Sequence, residues 1–302
     1  MGDLDIKRIL VPTDLSPQAA ESLQYARFFA ERFHAALTLL YVDPIVFPVN
    51  MPATEVPLYY ASTPEHIAAL EKNVRAYADD ALQGVSYDVA AVVGEPIPMI
   101  VREEEERAAD LVIMATHGLR GWRRLIIGSV TEGVLRGGGC PVLSVNRNER
   151  RPRTSDPVKR ILCPINFTDT ARASLEYASH LAAAFDCELA VVHVVEDEER
   201  IHKLAAPVDV RSWIEPAVQS RCTYLEIVLR GGAAERVLDC AEDVGADLIV
   251  IGAQHKRFRN ETVIGTTAER LVRFARVPVL SVPRRVDAQT TKAEEELVGQ
   301  AK

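Results

Sequence analysis

The sequence predicts an α/β protein made of two tandem copies of an open, five-stranded, mainly parallel sheet flanked by helices. Three observations carry this. The chain has 302 residues, 48% of them apolar, which is length for two domains of about 150 residues with a core each. Short apolar runs alternate with amphipathic helical segments, the pattern of a parallel sheet with helical crossovers. Finally, the chain repeats itself. Lys7-Arg8-Ile9-Leu10-Val11-Pro12 returns as Lys159-Arg160-Ile161-Leu162-Cys163-Pro164, and Tyr25-Ala26, Ala30 and Phe33 return as Tyr177-Ala178, Ala182 and Phe185, all at an offset of 152 (159 − 7). Further along the offset falls to 137 (246 − 109): Ala109-Asp110-Leu111 matches Ala246-Asp247-Leu248, Gly128 matches Gly265, and Pro141 to Val145 matches Pro278 to Val282. The first copy therefore carries 15 residues more (152 − 137), assigned to the proline-rich stretch Pro44 to Pro64, a surface loop.

In the first copy, Ile6 to Val11 is the opening strand, and Ser16-Pro17 starts a helix with a side-chain cap and a proline at its first position. Leu23, Ala26, Ala30 and Phe33 form the apolar face of that helix. Leu37 to Val42 is a strand, Glu65 to Leu82 a helix, Tyr87 to Val93 a strand and Ile97 to Ala108 a helix. Leu111 to Ala115 is a strand, Ser129 to Leu135 a helix and Val142 to Val145 the last strand. The second copy reads Ile161 to Ile165, Ala171 to Phe185, Leu189 to Val195, Leu225 to Leu229, Ala233 to Val244, Leu248 to Ile251, Thr266 to Phe274 and Val279 to Val282. The implied organisation is a first domain over 1–148, a polar, arginine-rich linker over 149–157, a second domain over 158–284 and a charged tail over 285–302.

Charge narrows the function classes. Lys and Arg number 35 against 43 Asp and Glu, a net charge of −8, so no global basic field exists for duplex nucleic acid or an anionic membrane. The acidity is uneven: 14 basic against 20 acidic residues to Arg150 (−6) leave 21 against 23 (−2) for the remainder. No apolar run is long enough to span a bilayer, and the acidic start is unlike a secretory signal, so the expected compartment is the cytoplasm. Cys140, Cys163, Cys187, Cys222 and Cys240 include no CxxC pair; each reads as a small buried side chain, and neither a disulfide framework nor a metal site is indicated.

In an open parallel sheet, ligands sit at the carboxyl ends of the strands, where helix N-termini offer unpaired N–H groups. After the first strand comes Pro12-Thr13-Asp14-Leu15-Ser16. After the fourth come Ala115-Thr116-His117-Gly118, nine residues, then Gly128-Ser129-Val130 opening a helix. Glycines let backbone approach an anion and Ser129 adds a hydroxyl, as a triphosphate requires. Arg120, Arg123 and Arg124 add charge between them. The alternative is that Gly118 and Gly128 only turn the chain and the arginines are solvated; spacing alone leaves both open.

These residues resemble the universal stress protein family, whose nucleotide motif is glycine, two residues, glycine, nine residues, then glycine with Ser or Thr, beside an aspartate after the first strand. The resemblance covers nearly the whole chain, twice. It implies an adenine-nucleotide α-hydrolase-like, Rossmann-like fold and an ATP-binding stress-response regulator, with Mg2+ as a companion of ATP. Pro12, Thr13, Asp14 and Val42 are implied at the adenine and ribose end, and Ala115, His117, Gly118, Gly128, Ser129 and Val130 at ribose and phosphates. Ala115 replaces the first motif glycine. In the second copy Pro164, Val194, Gly252, Gly265, Thr266 and Thr267 match, whereas Asn166 replaces the aspartate and His255 the second glycine. Weaker or altered binding is expected there, with Lys256, Arg257 and Arg259 keeping the mouth basic. In single-domain relatives the last strand pairs antiparallel across a two-fold, which implies that the two copies here form an internal pseudo-dimer, with further homodimerisation and an unidentified protein partner open.

No catalytic residue is assigned. His117 and His255 lack a second titratable group at a defined spacing and read as hydrogen-bonded loop residues. Glu103 to Glu106 read as a solvated surface, His193 as a core or interface residue, and Trp122 and Trp213 receive no stacking role. A Walker loop, an SGGxDS loop and an HxGH signature are absent. The alternatives to a nucleotide-binding regulator are a ligand-free scaffold with lapsed pockets, kept open by Ala115, Asn166 and His255, and a slow ATPase or self-phosphorylating protein.

Overall fold

In the computed structural model, residues 4–44, 63–116, 127–146, 158–196, 216–219, 222–253, 256–258, 261–263 and 265–283 are described. The expected linker, the charged tail and most of Pro44 to Pro64 lie outside them.

The strands are β1 (Arg8–Thr13), β2 (Ala36–Asp43), β3 (Tyr87–Val93), β4 (Leu111–Ala115), β5 (Val142–Val145), β6 (Arg160–Ile165), β7 (Glu188–Val195), β8 (Tyr224–Arg230), β9 (Leu248–Ala253), β10 (Lys256–Phe258), β11 (Glu261–Val263) and β12 (Val279–Pro283). The helices are α1 (Ala20–Phe33), α2 (Pro64–Ala78), α3 (Pro96–Glu106), α4 (Ser129–Gly137), α5 (Asp169–Phe185), α6 (Pro216–Gln219), α7 (Ala233–Asp243) and α8 (Thr266–Phe274). Ten strands form one sheet in the order β3-β2-β1-β4-β5-β12-β9-β6-β7-β8. Each half contributes a parallel five-stranded sheet, and the two half-sheets join where β5 and β12 pair antiparallel. The register sets Leu143 opposite Leu280, residues 137 apart, so the pseudo-two-fold passes beside this pair. The two copies are thus packed as an internal pseudo-dimer through their buried, nearly identical last strands.

Both faces of the sheet are covered at its inner strands, which is why β1, β4, β6 and β9 are apolar along their length rather than alternating. On one face Leu23, Phe29, Val74, Ala78, Leu175 and Phe185 from α1, α2 and α5 form a core continuous across the two halves. Phe185 packs against Phe28, Phe29 and Phe33 at ring-centroid distances of 5.0, 5.4 and 5.9 Å, so α1 and α5 are joined by aromatic contact as well as by the sheet. On the other face Ile100, Val134, Val237 and Leu271 bring in α3, α4, α7 and α8.

The repeated polar residues have a structural task. Asp110 accepts backbone N–H bonds from Lys7 and Arg8, and Asp247 accepts them from Lys159 and Arg160. One carboxylate in each half therefore locks the start of the first strand to the start of the fourth. Both long helices also end alike, on left-handed His34 and Asp186.

Among the described residues the halves differ in two places. The first helix begins at Ala20, later than Ser16-Pro17 implies: Ser16 does cap, taking the Ala19 N–H, but residues 17–19 form a turn ahead of the helix. Its counterpart α5 starts at Asp169, three residues earlier in register, capped by Thr168. The outer strand β3 is covered by the 15-residue α2, whereas the four-residue α6 of the second half lies against α5. Val228 on β8 is 71% exposed and its equivalent Ala91 8%. The hairpin β10–β11, a segment in which sequence periodicity shows no strand, rises between Gly252 and Gly265.

Candidate functional site

The alternation of strand and helix brings the first-half residues to one edge of the sheet. Pro12 and Thr13 end β1, flanked by β2, which carries Val42, and by β4, which ends at Ala115. Gly128 joins them through its N–H, which donates to the Thr116 carbonyl at 2.8 Å. Asp14, Val42, Ala115, Gly128, Ser129 and Val130 therefore lie along one rim, as the two strand ends and one helix start require. His117, Gly118, Arg120, Arg123 and Arg124 lie outside the described residues, as do Trp122 and Trp213.

The turn after β1 is shaped by its own side chains. Thr13 Oγ1 accepts from Leu15 N at 3.1 Å and Asp14 Oδ1 from Ser16 N at 3.0 Å, holding Leu15 in a left-handed conformation (φ 59°) that a branched residue adopts only when neighbours enforce it. Tyr77 reaches over from α2 and donates its hydroxyl to the Ser16 carbonyl at 2.7 Å. Burial pushes the Tyr77 phenol up to about 12, with the nearby Asp14 carboxylate adding and a hydrogen bond with Thr13 opposing. Burial, then the Asp43 and Asp14 charges, likewise raises Tyr41. Beyond Val42, Asp43 Oδ2 meets His66 Nε2 at 2.8 Å, a titratable pair assembled from residues 23 apart.

On the Gly128 side of the rim the loop is tightly built. A Cβ on Gly128 would stand 2.7 Å from the Thr116 carbonyl oxygen, so only glycine lets this backbone close. Thr131 donates its hydroxyl to the Ala115 carbonyl at 2.9 Å, and Thr116 donates its own to Asn146 Oδ1 at 2.5 Å. Thr116, Thr131 and Asn146 belong to no motif that sequence reasoning singles out. The available signal was the repeat: 137 residues on stand Ala253, Ala268 and Pro283, three apolar residues where the first half is polar. Helix geometry leaves the N–H groups of Ser129, Val130 and Thr131 without intrahelical acceptors, with Ser129 exposed, which is a donor set for an anion.

The second half assembles the same rim from Pro164, Asn166, Val194, Gly252, Gly265, Thr266 and Thr267, with His255 and Arg259 outside the described residues. Its details depart. Asn166 is exposed where Asp14 is half-buried, and its Oδ1 is engaged by the Thr168 hydroxyl at 2.7 Å. Phe167 takes the left-handed position (φ 58°) and packs on His193 with ring centroids 4.5 Å apart. His193 Nδ1 bonds the Ile165 carbonyl at 3.0 Å, a half-buried residue between core and rim. The kept glycine, Gly252, has its Cβ space filled by Thr170, whose carbonyl oxygen would be 2.6 Å away; the early start of α5 uses that space for packing. Among the described residues a Cβ on Gly265 would meet nothing within 4 Å, so no close approach from them demands glycine there.

The expectation of a solvated Glu103 to Glu106 holds for the exposed Glu105 and Glu106 and is corrected for the other two. Glu103 and Glu104 are buried, 5% and 3% exposed. Glu103 pairs with Arg102 and Arg107, while Glu104 Oε1 accepts from the Gly139 and Cys140 N–H groups at 2.6 and 2.7 Å, capping the turn into β5. Counting faces on an isolated helix misses this because the turn that needs the acceptor lies 35 residues away. Burial and then the Glu104 charge push the Cys140 thiol well above its ordinary range, and burial takes Cys163 up to about 12.

Two stretches of the chain, 5–146 and 157–283, match the model of the universal stress protein family. The chain belongs to the universal stress protein family. A universal stress protein of Methanocaldococcus jannaschii, MJ0531, is 32% identical over 150 residues, covering 49% of this chain and 87% of its own. Universal stress protein Rv2623 of Mycobacterium tuberculosis is 24% identical over 304 residues, covering 90% of this chain and 95% of its own, so the match extends across both copies. A crystal structure of a universal stress protein from Archaeoglobus fulgidus shares the fold over 92% of this chain and 98% of its own, with a TM-score of 0.70 at 23% identity. Among the described residues no helix is long and apolar enough to cross a membrane.

Proposed function

We propose that this universal stress protein is a cytoplasmic stress-response regulator that binds one adenine nucleotide, ATP with Mg2+, at the first-half rim, with weaker or altered ligand binding in the second half. The observation that carries the reading is the contrast between the equivalent glycines: Gly128 is closed onto the Thr116 carbonyl with open helix donors beside it, whereas among the described residues nothing closes onto Gly265, and Gly252 is packed by Thr170. Asp14 would accept from ribose hydroxyls, Pro12, Thr13 and Val42 would border the base, and the N–H groups of Ser129 and Val130 would receive phosphate oxygens. His117 and Gly118 would complete the phosphate loop. Residues 1–148 and 158–284 are the proposed domains. The proposal includes no catalytic group; ATP turnover would be slow and incidental.

Equilibrium dialysis with ATP and Mg2+ on the whole chain tests it. About one tight equivalent per chain is expected, with a matching rise in thermal stability by mass action. Two equivalents of equal affinity would overturn the asymmetry. No binding at millimolar ATP would replace the reading by that of a ligand-free scaffold, which the filled space at Gly252 favours for the second half.

A further inference from the structure

The two rims are joined by a buried polar relay that only one half possesses. Thr116 accepts the Gly128 N–H on its carbonyl and donates its hydroxyl to Asn146 Oδ1. Asn146, at the end of β5, turns its amide across the pseudo-two-fold and donates to the carbonyls of Val272 and Ala275 at 3.1 and 2.8 Å, the last turn of α8 in the other half. We propose that nucleotide occupancy of the first-half site is relayed through Thr116 and Asn146 to α8, so that the second half reports on the first. The inference rests on the nucleotide reading above.

The geometry makes each link restrictive. Thr116 and Asn146 are 1% and 7% exposed, so no bulk water replaces a broken bond. A helix leaves its final carbonyls without intrahelical donors, and Asn146 supplies two of the missing bonds from another domain. Any ligand that shifts the Gly128 loop moves the Thr116 carbonyl, hence its hydroxyl, hence the carboxamide that holds α8. Helix α8 is nine residues, a rod about 13 Å long, and its other end begins beside Gly265 at the second rim. A return contact exists as well: the backbone of β11, from the loop between Gly252 and Gly265, lies against α4. The symmetric relay is missing, since Ala253 has no hydroxyl and Pro283 no side-chain amide. Linkage then requires that whatever engages α8 alters nucleotide affinity at the first rim by the same factor, of the order of 5- to 150-fold for coupled sites.

Hydrogen exchange of the α8 amides, Leu271 to Ala275, in the full chain with and without ATP and Mg2+ tests the relay, with ATP binding measured on the same samples by dialysis. ATP is expected to slow exchange there about 5-fold or more in the native chain. Thr116→Val and Asn146→Ala should abolish the response, and Thr116→Ser, which keeps the hydroxyl, should retain it. If Asn146→Ala fails to fold, the valine and serine variants at 116 decide alone. ATP binding with unchanged exchange in α8, or a response that survives Thr116→Val, overturns the relay and leaves the nucleotide site standing. No ATP binding at all removes both.

Discussion

The two halves of this chain share a frame and differ in how they finish it. Asp110 and Asp247 lock equivalent strand starts, Leu15 and Phe167 hold the same left-handed turn, and Leu143 faces Leu280 across the pseudo-two-fold. At the rims the first half uses Thr116, Thr131, Asn146 and Tyr77 to fix its loops by hydrogen bonds, while the second uses Thr170, Phe167 and apolar packing. The bonds that carry register recur in both halves, whereas the rim is closed in two different ways, by hydrogen bonds in one half and by packing in the other.

The sharpest way to break the comparison is at Glu104, whose equivalent is Ala241. Glu104→Ala removes the buried carboxylate to which the Gly139 and Cys140 N–H groups of the turn into β5 donate, and should cost about 2–4 kcal/mol in denaturant titration. A loss under about 1 kcal/mol would mean the turn satisfies itself without the carboxylate.

Next come the glycines. Gly128→Ala and Gly252→Ala should each destabilise by about 1–3 kcal/mol, because the added methyl meets backbone at 2.7 and 2.6 Å. Only the first is expected to weaken ATP binding, so equal losses of affinity in a dialysis assay would erase the asymmetry.

Tyr77→Phe removes the bond to Ser16 and should cost about 1 kcal/mol at neutral pH. The native phenol keeps its proton up to about pH 12, whereas the unfolded one releases it near 10. Its contribution is therefore complete below about pH 10 and is lost as pH rises towards 12. The gap between native and Tyr77→Phe stabilities should narrow over that window, and a gap independent of pH would disprove the burial argument. The smallest effect is expected for Gly265→Ala, within about 0.5 kcal/mol, since φ is −59° and the space is open.

The frame was legible in the sequence. Alternating apolar runs place β1 to β5 and their copies within a residue or two, because strand and helix periods are local properties. The match of Pro141 to Val145 with Pro278 to Val282 points to the central seam, given the family resemblance. What stayed hidden is non-local. Glu104 looks solvated until the turn at Gly139 comes to it, and Asp43 with His66 has no motif to announce the pair. The helix starts at Ala20 rather than at Pro17 because Ser16 and Pro17 satisfy a capping pattern equally well in a turn.

The amino-acid sequence by itself determined the duplicated α/β fold, the acidic character and the position of the candidate rim, since each follows from composition, period and spacing. Tertiary structure alone decided that Gly128 is closed onto Thr116 while Gly252 is filled by Thr170, and that Asn146 reaches α8. Those outcomes depend on which backbone group stands within about 3 Å of which side chain after two copies have packed, and no spacing along one chain encodes that distance.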